Sequence, residues 1–290
     1  MALMDQQRVL VVDSGVGGLS ICEEIIARLP SLEILYVSDN AAFPYGNKSH
    51  QQVVCNVTDT IASALTKFTV DAIVIACNTA STAALGSLRE RWDMPIVGVV
   101  PAIKTAAETS RNSTFGLLAT PGTVASAYTA SLISDFANHC RVIRVASAEL
   151  VTLVEEHLYG QPLSDLHIEQ ILCQFERQPH GDSIDTVVLG CTHFPLIRDR
   201  LQVLRPQWRW LDSGPAIANR LAQQLTRKPV TTGGQQNDRL REPRVDCDTD
   251  CDCDCDGQNQ FFHTAERASD ASFTRYLARL GFAPPALLRI

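Results

Sequence analysis

Val70-Asp71-Ala72-Ile73-Val74-Ile75-Ala76-Cys77-Asn78-Thr79 lies over Ile184-Asp185-Thr186-Val187-Val188-Leu189-Gly190-Cys191-Thr192-His193 without a gap. Each stretch is an apolar, β-branched run entered through an aspartate and closed by a cysteine flanked by hydrogen-bonding side chains. Such a run reads as a buried parallel strand, and open α/β sheets gather their ligands outside the carboxyl ends of the strands. Two equivalent thiols delivered to one crevice from two halves of a chain suit chemistry on both faces of one substrate.

Around the first cysteine strand the sequence alternates strand and helix patterns. Strands are predicted at 8–12, 33–37, 72–76 and 96–99, and helices at 17–29, 51–68 and 79–92. That alternation implies parallel strands joined by crossover helices. The pattern then restarts, with strands at 114–118, 141–145 and 186–189. Helices are expected through about 137, between about 150 and 177, and at 215–225. Val11-Val12-Asp13-Ser14-Gly15 and Leu117-Leu118-Ala119-Thr120-Pro121 are counterparts at nearly the same offset as the cysteine strands. The fold expected is α/β, two pseudo-symmetric parallel-sheet domains with the site between them. Residues 229–259 break the composition, Gly/Gln/Asp-rich and without periodicity, before a short strand at 260–264 and a final helix at 270–280.

At 290 residues, 45% hydrophobic and 20% charged, the chain has a globular profile with room for two domains. Its net charge of −7, with no Lys/Arg cluster, gives no electrostatic reason to expect nucleic acid or an anionic membrane as partner. No apolar run approaches the roughly 20 residues of a membrane span. The N-terminal stretch has no signal-peptide pattern, so a reducing cytoplasm is the expected compartment. There, Cys22, Cys55, Cys140 and Cys173, among the ten cysteines, read as single small hydrophobes rather than a disulfide framework.

Asp13-Ser14-Gly15-Val16-Gly17-Gly18 follows a strand and opens a helix. A dinucleotide fingerprint would require a third glycine where Ser20 stands. A tight structural turn competes with a loop whose backbone N–H groups hold a carboxylate, with Asp13 and Ser14 facing a ligand. Pro44-Tyr45-Gly46 reads either as plain loop punctuation or as a substrate-covering loop. Each cysteine is expected beside donors at a helix start, a setting that lowers a thiol pKa from about 8.5. A thiolate can serve as nucleophile or base. One thiol with His193 would make a thiol hydrolase, but that leaves Cys77 unexplained, and residues so close along a chain rarely point at one another. Zinc held by Cys77, Cys191 and His193 lacks the usual close cysteine spacing. The tract from Asp246 to Asp256, which carries Cys247, Cys251, Cys253 and Cys255, could offer thiolates to a soft metal. It reads better as a solvated low-complexity loop.

Taken together, Val12–Leu19, Pro44-Tyr45-Gly46, Ala76-Cys77-Asn78-Thr79-Ala80-Ser81 and Gly190-Cys191-Thr192-His193-Phe194-Pro195-Leu196 resemble the cofactor-independent glutamate racemases of the aspartate/glutamate racemase superfamily. The resemblance covers about 8–228 and resumes at 261–281. It implies two domains with the boundary crossed near 99–101 and 211–213: residues 1–99 plus 212–290 in one, 100–211 in the other. It implies Cys77 and Cys191 as opposed acid/base groups, Cys77 acting on D-glutamate and Cys191 on L-glutamate, with no cofactor and no metal. Asp13 would assist Cys77 and His193 would assist Cys191, while Asp39 and Glu155 match further acidic positions. Ser14, Pro44, Tyr45, Gly46, Asn78, Thr79 and Thr192 would bind substrate, with Thr120 and Thr123 as additions from the second turn. Ser81 and His193 point to glutamate rather than aspartate. Relatives commonly carry a Cys-Pro pair in the stretch that reads Ala146-Ser147-Ala148-Glu149-Leu150 here, and the Cys-Asp tract is foreign to the pattern, which places it on the surface away from the thiols. The implied role is D-glutamate supply for peptidoglycan, and a homodimer is compatible with it. With about seven residues before the first strand, no activation by a cell-wall precursor, UDP-N-acetylmuramoyl-alanine, is expected. The alternatives are an aspartate racemase, a dicarboxylate isomerase or decarboxylase of the superfamily, and a non-catalytic amino-acid-binding protein.

Overall fold

A computed structural model of the chain describes residues 7–226, 258–268 and 270–289. The Cys-Asp tract and nearly all of the stretch 229–259 lie outside them. In chain order the first run of elements is β1 (Arg8–Asp13), α1 (Leu19–Arg28), β2 (Glu33–Ser38), α2 (His50–Lys67), β3 (Ala72–Ile75), α3 (Asn78–Arg91) and β4 (Ile96–Gly98). The second run is α4 (Ile103–Thr109), β5 (Thr114–Ala119), α5 (Pro121–Ala125), α6 (Ala127–Phe136), β6 (Arg141–Ala146), α7 (Ala148–Leu158), α8 (Asp165–Glu176), β7 (Thr186–Gly190), α9 (Arg198–Leu204) and β8 (Arg209–Leu211). Then come α10 (Gly214–Thr226), β9 (Gln260–His263), α11 (Ala271–Arg279) and β10 (Ala286–Leu287).

The strands form two all-parallel sheets, ordered β10-β9-β2-β1-β3-β4 and β6-β5-β7-β8. The order 2-1-3-4 in the first sheet is repeated as 6-5-7-8 in the second, the structural form of the repeat seen in sequence. Each sheet reverses its winding between its first and third strands, and that switch point is where an open α/β sheet leaves a crevice. Asp13 ends β1 and Cys77 follows β3 at one crevice; Thr120 follows β5 and Cys191 follows β7 at the other. The aspartates that enter the two cysteine strands have matching structural tasks. Asp71 accepts the Arg8 N–H at 2.8 Å, and Asp185 accepts the N–H groups of Arg111 and Asn112 at 2.6 and 2.9 Å.

Both faces of each sheet are covered, which is why these strands read as continuous apolar runs. Along β1, Val9 and Val11 join one core cluster while Leu10 and Val12 join the opposite one. In β5, Phe115, Leu117 and Ala119 face one way and Leu118 the other. Two of the differences from expectation have a clear local cause. The alanine-rich segment Ile103–Thr109 is helical because Ile103, Ala106 and Ala107 bury against the second sheet. The helix expected through about 137 is two helices, since Ser126 ends α5 and its hydroxyl caps α6 by accepting the Thr129 N–H at 3.0 Å. Among the described residues no helix is long and apolar enough to cross a membrane.

The returning strand β9 carries a buried titratable group. His263 Nε2 lies 3.1 Å from the Tyr159 hydroxyl, and its Nδ1 has no partner among the described residues. Burial depresses its pKa from 6.5 to about 4, with smaller opposed contributions from Glu155 and Arg267. The folded chain therefore holds this ring neutral, and the stability it contributes is complete above about pH 6.5 and lost as pH falls towards 4. Urea unfolding of the wild type should lose about 3 kcal/mol more between pH 7 and pH 4 than unfolding of His263→Gln. Equal losses in the two proteins would count against a neutral buried His263.

Candidate active site

The two crevices face each other and enclose one cavity. It is lined from the first sheet's side by Asp13, Ser14, Pro44, Tyr45, Gly46, Cys77, Asn78 and Thr79, and from the second by Thr120, Val151, Cys191, Thr192 and His193. Asp39, Thr123 and Glu155 do not line it; each stands behind a residue that does. Asp39 Oδ2 accepts the Tyr45 hydroxyl at 2.5 Å and Oδ1 accepts the Thr264 hydroxyl at 2.9 Å. Thr123 supports Thr79 and Thr120 in a cluster of three hydroxyls that spans the two sides, at 2.9 to 3.3 Å. Ser81 also stays out of the cavity, its hydroxyl donating to the Ile75 carbonyl at 3.0 Å, so it discriminates between substrates by no direct contact.

Cys77 is the N-cap residue of α3 and is 7% exposed. The expected acidifying effect of that helix start does not prevail. Burial pushes the thiol well up, and the neighbouring Asp13 charge pushes it further. The Ala80 N–H and the Ser14 hydroxyl oppose this without overcoming it. Asp13 is 1% exposed, and burial raises its own pKa despite the nearby His193, the Gly15 N–H at 3.0 Å and the Thr192 hydroxyl at 3.0 Å. Ser14 Oγ lies 3.3 Å from Asp13 Oδ1, so one hydroxyl stands between carboxylate and thiol.

Cys191 has a different setting. No α-helix begins beside it: a turn leads into a short 3₁₀ segment, Phe194–Ile197, before α9. That turn brings His193 back, so its Nδ1 lies 3.7 Å from Cys191 Sγ, contrary to the expectation that the two would not meet. His193 Nε2 donates to Glu155 Oε2 at 2.7 Å. Burial alone would lower the imidazole pKa, but the hydrogen bonds and charges of Cys191 and Glu155 reverse it, and the ring is held protonated well above its ordinary range. Thiol, imidazole and carboxylate thus form a line, with the imidazole between the Cys191 sulfur and the Glu155 carboxylate.

The glycine loop does hold a carboxylate, but it is one of the protein's own. The Val16 N–H donates to Glu155 Oε2 at 2.9 Å. Gly15 and Gly17 are required by this close approach. A Cβ on Gly15 would stand 2.5 Å from Glu155 Oε2, and one on Gly17 would stand 2.3 Å from His193 Nδ1. Four contributors were not found from sequence. Val151 lines the cavity from α7, but its apolar side chain is indistinguishable there from core. Ser20 donates to the Thr192 carbonyl at 2.8 Å. Thr264 and Arg267 follow the carboxyl end of β9, and Arg267 Nη1 donates to Glu155 Oε1 at 2.9 Å. The rule that singled out the cysteines, that ligands gather beyond strand carboxyl ends, applied to β9 as well.

Titratable groups line the cavity from both sides, Asp13 and Cys77 from one and Cys191 and His193 from the other. Asn78 Nδ2 is buried without a hydrogen-bond partner among the described residues, an idle donor of the kind that a bound acceptor satisfies. Residues 9–221 match the family model of the Asp/Glu/Hydantoin racemases. Glutamate racemases from Salmonella typhimurium and Klebsiella pneumoniae are 51% and 50% identical over 215 residues, 74% of this chain and 75% of each of theirs. The structure of Escherichia coli glutamate racemase in complex with L-glutamate and the activator UDP-MurNAc-ala has a TM-score of 0.83 at 40% identity, covering 98% of both chains. Glutamate racemase isoform RacE1 from Bacillus anthracis has a TM-score of 0.73 at 28% identity, covering 98% of this chain and 97% of its own.

The close approach at Gly17 sets a steric test. Gly17→Ala should destabilise the fold by about 1–3 kcal/mol through overpacking against His193. Gly86→Ala, in α3 where a Cβ meets nothing within 4 Å, should be stabilising by about 0.5–1 kcal/mol. Denaturant unfolding of the pair checks this, and equal effects would contradict it.

Proposed function

This chain belongs to the Asp/Glu/hydantoin racemase family and is a racemase, and from that premise we propose that it interconverts L- and D-glutamate through Cys77 and Cys191 as paired acid and base. The observation that carries the reading is the pair of buried thiols at equivalent strand ends, facing one cavity from opposite sides. Racemisation removes the α-proton on one face and returns a proton on the other, so a base and an acid are needed at once. A binding protein needs neither thiol, and a thiol hydrolase needs only one.

The unlike surroundings of the thiols assign their resting states. Burial and Asp13 keep Cys77 a thiol, while Cys191 stands 3.7 Å from a His193 ring that is held protonated and backed by Glu155, a neighbour suited to a base that works as its anion. With L-glutamate, Cys191 takes the α-proton and Cys77 delivers its own to the opposite face, which leaves Cys77 as thiolate and Cys191 as thiol. D-glutamate reverses the two transfers. Because the α-proton of an amino acid is far less acidic than a thiol, the carbanionic charge needs fixed donors in a site closed to water. Asn78, Thr79, Thr120 and Thr192 are the side chains that would meet the substrate carboxylates, with Ser14, Tyr45 and Gly46 completing the enclosure. Closure of two bodies, residues 1–99 with 212–290 and residues 100–211, would exclude water during the transfer. In a bacterial cytoplasm the product would supply D-glutamate for peptidoglycan.

Chiral separation after incubation with L- and D-glutamate and L- and D-aspartate, without added cofactor, should show interconversion of the glutamates. Cys77→Ser and Cys191→Ser should each lose at least about 10²-fold in rate, the lower end of what a positioned acid or base contributes. Undiminished racemisation by either variant, or turnover confined to aspartate, would overturn the assignment.

A further inference from the structure

The chain behind Cys191 does not stop at Glu155. The Glu155 side chain is fully buried, and three groups donate to its two oxygens: His193 and the Val16 N–H to Oε2, and Arg267 to Oε1. Arg267 comes from a different part of the fold, the segment after β9. It is fixed there on two further sides. Its second nitrogen donates to Glu156 at 3.0 Å, and its guanidinium lies 3.6 Å from the centre of the Tyr159 ring. Tyr159 packs in the core of the first sheet, so the end of α7 and the Arg267 segment share one rigid surround. A carboxylate taken out of water stays ionised only when paired and hydrogen-bonded. The titratable and charged groups acting around Glu155 are His193, Asp13, Tyr36 from β2, Tyr159 just past the end of α7, His263 from β9 and Arg267, with Glu156 beyond Arg267. Of these, only Arg267 carries a permanent positive charge.

We infer that Arg267 is a positioning residue for Cys191: by pairing with Glu155 it keeps that buried carboxylate ionised and aimed at His193, and so holds the imidazolium that favours the Cys191 thiolate. Without Arg267, Glu155 would take up a proton or turn from His193, the imidazole would lose its anionic partner, and the thiol would hold its proton to higher pH. The inference rests on reading Cys191 as one of the two bases, but its test does not depend on which amino acid is turned over.

The test is the pH dependence of iodoacetamide alkylation, read by mass spectrometry on the separate tryptic peptides 68–89, which carries Cys77, and 178–198, which carries Cys191. In Arg267→Met and Arg267→Gln the Cys191 midpoint should rise by about one unit or more, roughly tenfold less thiolate near neutrality, while the Cys77 midpoint stays. Arg267→Lys, which keeps the charge, should return most of the shift. Glu155→Gln should reproduce the rise, and adding Arg267→Met to it should change nothing further. Circular dichroism confirms that each variant is folded, and Arg267→Gln, which keeps an amide donor, is the milder neutral replacement. An unmoved Cys191 midpoint in either folded neutral variant, or a full further shift in the Glu155→Gln background, would overturn the inference. Racemisation of L-glutamate measured on the same samples separates the two readings: a Cys191 shift in a protein that never turns over glutamate would reject the proposed substrate and leave the Arg267 link standing.

Discussion

The carboxylate of Glu155, buried with no exposure to water, joins three segments far apart in the chain. It takes hydrogen bonds from the loop after β1, the turn after β7 and the segment after β9. A buried carboxylate with any of these missing would be costly, since breaking a buried ion pair by removing one partner costs about 3–5 kcal/mol. The glycines of the first loop follow from it, because side chains at Gly15 or Gly17 would occupy the space of Glu155 and His193. A second contact crosses in the opposite sense: Thr192, from the second sheet's side, donates to Asp13 of the first. Each half therefore completes the polar surroundings of the other, which puts the thiols opposite one another.

The scaffold is nearly symmetric and the chemistry built on it is not. Strand orders match between the sheets, and both thiols follow the strand at the switch point. Behind Cys191 stands an imidazole backed by a carboxylate and a guanidinium; beside Cys77 stand Ser14 and an aspartate. Both sides draw on the short segment after β9, through Thr264 to Asp39 and Tyr45, and through Arg267 to Glu155 and His193. The C-terminal return therefore positions side chains of both crevices. The proposed pair must begin with one partner protonated and the other not, and the unlike surroundings of the two thiols suit that difference.

Where local pattern decides the structure, the sequence was readable. The β-branched runs before Cys77 and Cys191 are strands because both faces are buried, and the restart of the pattern near Thr114 is the second sheet. Features set by tertiary geometry were not readable. The Cys191–His193 contact depends on a turn whose dihedral angles no neighbouring residue announces. The Cys77 thiol is pushed up because Asp13 and burial outweigh a helix start, a balance of magnitudes invisible in a motif. Glu155 could be named only through family resemblance, since nothing in α7 marks it apart from Glu156. Arg267 and Thr264 follow a strand's carboxyl end as the cysteines do, but no motif around them marks that position in the sequence. In the glycine loop, where a ligand's carboxylate competes with a tight turn in the sequence reading, the Val16 N–H holds the carboxylate of Glu155.

The central claim is that two thiols of opposite protonation serve the two faces of the substrate. The position of solvent deuterium tests it most directly. In D2O at low conversion, starting from L-glutamate of natural isotopic composition, the D-glutamate formed should carry one α-deuterium while recovered L-glutamate keeps its protium. Starting from D-glutamate the labels should reverse. Deuterium entering substrate and product equally from the first turnovers would mean a single group serving both faces, and would contradict the account.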